Sequence, residues 1–303
     1  MSPLSGASSI ILRPPKHTPA RGPPIHKKAR GSRHRSPAMK PLVVCMLTAI
    51  TAFADVDLRP EFEKLHLSPR PQGARPTCSV FAVTQALEFT IAKSQAATSR
   101  LSPEYLIWAA NQVRPGKRDG GFFSELWDGF AKHGIATESS MPYQNAFNPD
   151  ALPDKTASAE AAKSLALGLR THWIKKWNVN TGLSDAEFQT LLATLTSGSP
   201  VCGGFRWPKT DTWQNGIVRM CGPEDVFDGH SLLLTGFLTD SARPGGGLLL
   251  IRDSATGQDR QMPFAYAKQF MNDAVWFGKT SPAPCPGRHS PLLRANSSVA
   301  LQF

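Results

Sequence analysis

The pattern of apolar positions predicts helices in the first half of the folded region and strands in the second. The most apolar helical segment runs from Thr77 to about Ser94. Its apolar residues spread over most of the helix circumference, which is typical of a buried helix. Start signals and periodicity predict further helices that begin at Ser102-Pro103 and cover about 124–133, 157–169, 184–196 and 263–271.

Short apolar runs bounded by Gly and Pro predict strands in the second half of this region. These predicted strands cover 171–179, 201–206, 216–220, 231–237, 247–252 and 274–277. Segment 55–71 is predicted to be short and extended. Because helices come first and strands second, the predicted fold class is α+β with two lobes. The helical lobe covers about 72–168, the β lobe covers about 169–280 together with 55–71, and the cleft between them is the expected functional site.

The two ends of the chain differ in composition from the folded region. Residues 1–38 are rich in Pro, Arg, Ser and His and predict a disordered basic leader, and residues 281–303 predict a disordered tail. Within 39–54, a positive start at Met39-Lys40 precedes an apolar stretch of about ten residues and Ala52-Phe53-Ala54, the pattern of a secretory signal peptide. We therefore expect translation to start at Met39 and the mature protein to be periplasmic or secreted. A genuine basic extension is the alternative.

The positive charge of the chain is concentrated at its start. The formal net charge is +11, but residues 1–54 hold nine of the 34 basic residues and no acidic one, which leaves 25 basic against 23 acidic residues. A nucleic-acid binder is therefore a hypothesis that rests on the leader alone and fails if translation starts at Met39. No run of 18 apolar residues predicts a membrane span. No phosphate-binding or dinucleotide-binding glycine motif and no metal-ligand spacing occurs, so no metal or cofactor is expected.

Cys78 is the first candidate for chemistry. Gly73 and Pro76 predict a loop, and Thr77 can cap the helix that follows, so Cys78 falls in the first helical turn. There the helix dipole and the unpaired backbone N–H groups favour a thiolate. Gln72 lies six residues earlier, and its side-chain amide could converge with the Cys78 N–H on one oxyanion. The alternative is that Cys78 is an ordinary buried cysteine.

Three segments, in this order, resemble the papain-like cysteine peptidases. Gln72-Gly73 and Cys78 keep the spacing of that family's oxyanion glutamine and nucleophile. Asp228-Gly229-His230 and the apolar run after it resemble the strand that carries the family's histidine, and 248–254 resembles the strand that carries its orienting residue. The resemblance extends over about 55–277. It implies a two-lobed papain-like fold, with the cysteine on the helical lobe and the histidine on an antiparallel sheet or barrel lobe.

The resemblance also implies a role for each of these residues. Cys78 would attack a peptide carbonyl, His230 would hold the thiolate and protonate the leaving amine, and Asp253 would orient His230. Gln72 would bind the oxyanion together with the Cys78 N–H, and Gly120-Gly121 would lie against the substrate backbone. The alternatives are a core histidine at 230, a solvent-exposed strand end at 253 and a plain turn at the glycine pair.

Several residues depart from the family's pattern. Asp253 stands where the family usually has Asn, Ala255 and Ser79 stand where it has Trp, and Arg75 stands where it has half of a disulfide. These departures predict a wetter and less stapled site, and the extra charge of Asp253 predicts a raised pKa of His230. The 17 residues of 55–71 leave no room for the long inhibitory propeptide of many relatives.

The cysteines of the predicted mature chain leave the disulfide state open. Export implies an oxidising compartment. If Cys78 stays a free thiol, at most one bridge can form among Cys202, Cys221 and Cys285. Cys202–Cys221 is the better candidate, because both lie in strand-like segments, and two unpaired cysteines are equally compatible with the sequence.

The leading hypothesis is an exported cysteine peptidase that acts on peptides or proteins as a monomer through Cys78 and His230. The alternative is a catalytically inactive papain-fold protein that binds peptide or cell-wall polymer. Asp253 and Ala255 favour the alternative, whereas intact Gln72, Cys78 and His230 oppose it. Transpeptidation and amide hydrolysis by the same thiolate stay open as further hypotheses.

Overall fold

The computed structural model describes residues 53–95 and 98–279. The predicted leader and tail, most of the predicted signal peptide, and Cys285 lie outside these residues. The described part contains five helices followed mainly by strands. This order confirms the α+β fold class.

The first part of the fold is helical. Its central helix is buried on nearly all sides, as its apolar pattern predicts. The next helix begins where the sequence signal lies, because the Ser102 hydroxyl accepts a hydrogen bond from the Tyr105 N–H (2.9 Å). The helices are α1 (Arg59–Lys64), α2 (Cys78–Gln95), α3 (Pro103–Asn111), α4 (Phe123–His133) and α5 (Lys155–Leu165).

The second part is a mixed sheet of nine strands with two helices, α6 (Asp185–Thr196) and α7 (Phe264–Phe270). The strands are β1 (Val56–Asp57), β2 (Arg170–Lys175), β3 (Val201–Pro208), β4 (Trp213–Gln214), β5 (Ile217–Val218), β6 (Val226–Thr239), β7 (Gly247–Asp253), β8 (Gln258–Pro263) and β9 (Met271–Gly278). Their order is β2-β9-β3-β6-β7-β8-β5-β4, and β1 pairs with β6. The β5–β8 pair is parallel and the others are antiparallel.

Strand β6 lies between the two hydrophobic cores of the fold. Leu233 packs into the cluster that contains α2, whereas Leu232 and Leu234 pack into the cluster that contains α6 and α7. This alternation follows from the two-residue period of a strand. The helical layer therefore rests on one face of the sheet, and the start of α2 comes to lie beside β6.

Some local predictions are wrong. Segment 55–71 contains α1, because Phe62 is fully buried and stacks on Phe89 of α2 with ring centroids 4.3 Å apart. Strand β2 stops at Lys175, where a bulge after Trp173 breaks the predicted alternation. Strand β8 was not predicted, because its residues are mostly polar, yet it pairs with β7 along its whole length.

The suggested Cys202–Cys221 bridge is also wrong, because both residues are free thiols. Cys202 is buried in the cluster that contains α2. Cys221 packs against the cluster on the other face of the sheet. The two side chains therefore belong to different cores and cannot meet without moving the backbone.

Candidate active site

Cys78 is the first residue of α2, so its thiol lies where the helix presents unpaired N–H groups. The thiol forms hydrogen bonds with the side chain of His230 and with Ser231 on β6. Burial would raise the pKa of the thiol, but the bonds and the charge of His230 and the contacts with Ser231 lower it below its ordinary value. The helical part and the sheet thus meet at Cys78 and His230, as the sequence predicts.

His230 lies on β6 between Cys78 and Asp253. Its Nε2 donates a hydrogen bond to the Asp253 Oδ1 (2.8 Å), which leaves Nδ1 for Cys78. Burial would lower the pKa of His230, but Asp253 and Cys78 outweigh this effect and raise the pKa to about 9. The direction of this shift is the one predicted from the carboxylate at position 253.

Asp253 is the last residue of β7 and is only 1% exposed, so it is not a solvent-exposed strand end. Besides His230, its carboxylate accepts hydrogen bonds from the Ala255 N–H (2.9 Å) and the Thr256 hydroxyl (3.1 Å). Burial would raise the pKa of Asp253, but the bond to His230 and these two donors lower it. Ala255, which takes the place of a family tryptophan, thus contributes its backbone rather than its side chain.

Trp207 covers the His230 ring, and sequence reasoning missed it. The two rings meet edge to face with centroids 4.7 Å apart. Trp207 comes from β3, and His230 itself is only 8% exposed. An aromatic ring from a different strand thus packs against the buried His230–Asp253 pair, and the expectation of a site wetter than in relatives stays a prediction.

Gln72 lies next to this row of residues and is buried, but it does not line the cavity described below. Its Nε2 donates to the Arg75 carbonyl (2.8 Å), and its Oε1 accepts from the Ser254 hydroxyl (2.7 Å). The side chain therefore ties the loop before Cys78 to the residue after Asp253. One of the two Nε2 hydrogens is used in this way, and the oxyanion role of Gln72 stays a prediction.

Arg75 forms a buried ionic network where the family has half of a disulfide. Its guanidinium binds Glu104 (Nη1–Oε2 2.6 Å) and forms two bonds to Asp119 (Nε–Oδ2 3.0 Å and Nη2–Oδ1 2.8 Å). It also lies over the ring of Tyr143, 4.4 Å from the centroid. Burial opposes ionisation of Arg75, but the two carboxylates raise its pKa above the ordinary value. The loop before Cys78 is thus stapled by charge.

The glycine pair follows directly after Asp119 in the same network. Gly120 has φ 83°, and a Cβ there would lie 2.6 Å from the Pro76 carbonyl oxygen, so only glycine allows this close approach to the loop before Cys78. Gly121 lines the cavity that contains Cys78. Whether a substrate backbone lies along the pair stays a prediction.

A cavity of about 510 Å³ lies between the helical part and the sheet. Cys78, Gly121 and Phe122 line one side, and His230, Trp177 and Asp273 line the other. Within 53–95 and 98–279, no group of three or more His, Cys, Asp or Glu side chains is arranged to hold a metal ion. No helix in these segments is long and apolar enough to cross a membrane.

Comparison with known proteins identifies the family. The family model described as papain family cysteine protease matches residues 54–254, and no curated protein matches the chain. Among solved structures, the chain is similar to xylellain, a cysteine protease from Xylella fastidiosa (18% identity, TM-score 0.56, 76% of this chain and 87% of that chain covered). It is also similar to digestive procathepsin L 3 of the Tenebrio molitor larval midgut (17%, 0.55, 76% and 71%) and to the proform of the ragweed pollen allergen Amb a 11, a cysteine protease (19%, 0.54, 77% and 67%). The structures support a papain-like fold, and the family match covers more than half of the chain: the protein belongs to the papain family of cysteine proteases.

Proposed function

We propose that this protein hydrolyses peptide bonds, with Cys78 as the nucleophile and His230 as the acid and base. The observation that supports the proposal most is the row of Cys78, His230 and Asp253, in which each side chain is hydrogen-bonded to the next and the histidine and carboxylate are buried. Burial of ionisable groups costs free energy unless the groups are paired. A buried histidine and carboxylate hydrogen-bonded in a row with a cysteine therefore indicate a function rather than an ordinary core cysteine.

The shifts of the two pKa values favour a thiolate–imidazolium pair. The pKa of Cys78 is lowered and that of His230 is raised to about 9, so the thiol loses its proton before the imidazolium does. The thiolate is the reactive form of cysteine. Asp253 stabilises the positive charge on His230 and fixes the ring so that Nδ1 faces the sulfur.

The reaction then proceeds in two stages. The Cys78 thiolate adds to the carbonyl carbon of the peptide bond, and His230 transfers its proton to the leaving amine as the C–N bond breaks. This gives a thioester between Cys78 and the acyl part of the substrate. Water then adds to the thioester carbonyl while His230 takes its proton, and the C–S bond breaks to release a carboxylic acid and restore the thiolate.

Two donors are available for the oxyanion of each stage. The Cys78 N–H is at the start of α2, where no preceding helical carbonyl accepts from it. The second Nε2 hydrogen of Gln72 is the other candidate, since the first is bonded to Arg75. Gly120, which approaches the loop before Cys78, and Gly121, which lines the cavity, would accommodate an extended substrate backbone.

We also propose that the protein is exported and cleaved after Ala54, on the basis of the sequence pattern of 39–54. The Asp55 carboxylate binds the Thr239 N–H and hydroxyl (2.7 and 2.8 Å), so a chain that began at Asp55 would be anchored to β6 at its first residue. N-terminal sequencing of the exported protein tests the cleavage site. A first residue other than Asp55 would contradict it.

The catalytic proposal is tested by intact-mass spectrometry of protein treated with an epoxide that traps active-site thiolates. We expect one adduct on Cys78, which is lost in Cys78→Ala and in His230→Ala. Cys202 and Cys221 serve as internal controls, because burial raises the pKa of both thiols. Folded, reduced protein without an adduct would contradict an activated thiolate and favour the inactive binding protein instead.

A further inference from the structure

Asp273 is a buried carboxylate in the wall of the cavity that contains Cys78. It lies on β9 and is only 4% exposed. It pairs in register with Gly204 of β3, and a Cβ on Gly204 would collide with the Asp273 Oδ1. The missing side chain at Gly204 therefore makes the space that the carboxylate occupies, and the catalytic steps described above make no use of it.

This carboxylate has no cationic partner among the described residues. The nearest charge is that of Lys175 on β2, but its Nζ donates to the Thr181 hydroxyl (2.8 Å) and forms no ion pair with Asp273. Arg118, which also lines the cavity, is bonded to Glu125. Burial raises the pKa of Asp273 to about 7, which the Gly204 N–H and Lys175 only partly oppose.

An unsatisfied acceptor lies beside Asp273. Asn272 also lines the cavity and is 5% exposed, and its Oδ1 is buried without a hydrogen-bond partner among the described residues. An unpaired buried acceptor costs free energy, about 1–3 kcal/mol in typical cases, unless a ligand supplies the missing donor. A group that carries both positive charge and several N–H donors would satisfy Asn272 and Asp273 together.

The mouth of the cavity is aromatic. Phe122 from the helical part and Trp177 from the loop after β2 meet edge to face, with ring centroids 5.6 Å apart. They are 48% and 51% exposed, which is unusual for side chains of this size. Aromatic faces attract cations and pack against the methylene groups of long basic side chains. The aromatic mouth of the cavity and the acceptors Asn272 and Asp273 in its wall thus favour the same kind of group, a long basic side chain.

We propose that this cavity selects an Arg or Lys side chain of the substrate, and that Asp273 is the residue that determines the preference. As a statement about which peptides are cleaved, this inference rests on the proposed function. A guanidinium suits the site best, since its planar group can donate to the Asp273 carboxylate and to the Asn272 Oδ1 at once.

Matched fluorogenic peptides test the proposal. Arg, or its neutral isostere citrulline, is placed at either of the two residues before the leaving group. For wild-type protein at pH 8, we expect kcat/KM to favour Arg by roughly 10- to 100-fold at one of these positions, the range of a charge-assisted hydrogen bond. The preference should disappear in Asp273→Asn and persist in Asp273→Glu. Asp128→Asn, which removes an exposed carboxylate of α4, is the matched control for net charge and should keep the preference.

The Arg-to-citrulline ratio should also rise from pH 6 to pH 8, as Asp273 loses its proton. Titration of Cys78 and His230 affects both peptides alike and cancels in the ratio. The charged groups near Asp273 on neighbouring elements are Lys175 of β2 and Arg118, which lines the same cavity. A ratio near one in wild type, or a preference that survives in Asp273→Asn, overturns the proposal.

Binding separates this inference from the proposed function. Fluorescence anisotropy measures the affinity of Cys78→Ala protein for labelled Arg and citrulline peptides, with and without Asp273→Asn. If wild type cleaves neither peptide but Cys78→Ala binds the Arg peptide more tightly through Asp273, the peptidase proposal fails and the cavity inference stands. If wild type cleaves both peptides equally well, the peptidase proposal stands and the cavity inference fails.

Discussion

Replacing Arg75 with Met tests whether charge alone staples the loop before Cys78. The substitution keeps a long side chain but removes the guanidinium from between Glu104 and Asp119. Both carboxylates are largely buried, with side chains 3% and 13% exposed. After the substitution they face each other without a cation, and Gln144 loses the donor to its carbonyl (2.8 Å).

The expected loss follows from this geometry. Removal of one partner from a buried ion pair typically costs about 3–5 kcal/mol in the free energy of unfolding, because the remaining charge is left uncompensated. For a fold of this size, that loss lowers the melting temperature by roughly 6–20 °C. Arg75→Lys should fall between the two proteins, since an ammonium keeps the charge but cannot bind both carboxylates with a planar fork.

Urea unfolding of Arg75→Met, Glu104→Gln and the double variant measures the effect as a cycle. We expect the double variant to lose less stability than the sum of the single ones, because the neutral amide introduced by Glu104→Gln no longer needs the cation. Arg243→Met is the control: its pair with Asp240 is exposed, so its removal should change stability by less than about 1 kcal/mol. Additive single effects, or a loss in Arg75→Met no larger than in the control, would refute the reasoning.

Other variants address the chemistry of the site. Asp253→Asn should lower the pKa of His230 from about 9 and move the alkaline limb of kcat/KM to lower pH by about 1–3 units; an unmoved limb in the pH–rate profile would contradict this. Trp207→Leu should let water reach His230 and slow alkylation of Cys78 at pH 8 by roughly three- to tenfold, measured by loss of free thiol; an unchanged rate would mean that the ring does not protect the pair. Gln72→Ala should lower kcat by about 10²–10³ but leave alkylation of Cys78 nearly unchanged, because an oxyanion donor acts only on the acyl transition state; an equal loss in both assays would assign Gln72 a structural role.

The elements whose signal is local could be predicted from the sequence. Helix α2 follows from its apolar circumference, α3 from the cap at Ser102, and α6 from its capping box at Ser184 and Glu187. Cys78 and His230 could be expected to meet because their flanking segments resemble one family in the right order. Each of these signals lies within a segment of residues a few positions apart, so it is visible without the fold.

The features that were missed depend on pairing between distant segments. Trp207 covers His230 because β3 runs beside β6, and nothing near position 207 signals this contact. The burial of Asp273 depends in the same way on its register with Gly204. From the sequence, Arg75 is expected to be an exposed loop residue. It belongs to a buried network only because α3, which carries Glu104, and the loop that contains Asp119 both lie against it. Helix α1 was not predicted because a segment of six residues with one buried aromatic is too short to show a helical period.

The absence of disulfides among the described residues has a practical consequence for handling the protein. Cys78, Cys202 and Cys221 are all thiols, and the loop before Cys78 is held by Arg75 and its carboxylates. A reductant strong enough to keep Cys78 from oxidising therefore breaks no bond that supports the described fold. Refolding of the described part from denaturant should therefore need no oxidative disulfide exchange and can take place with reductant present throughout.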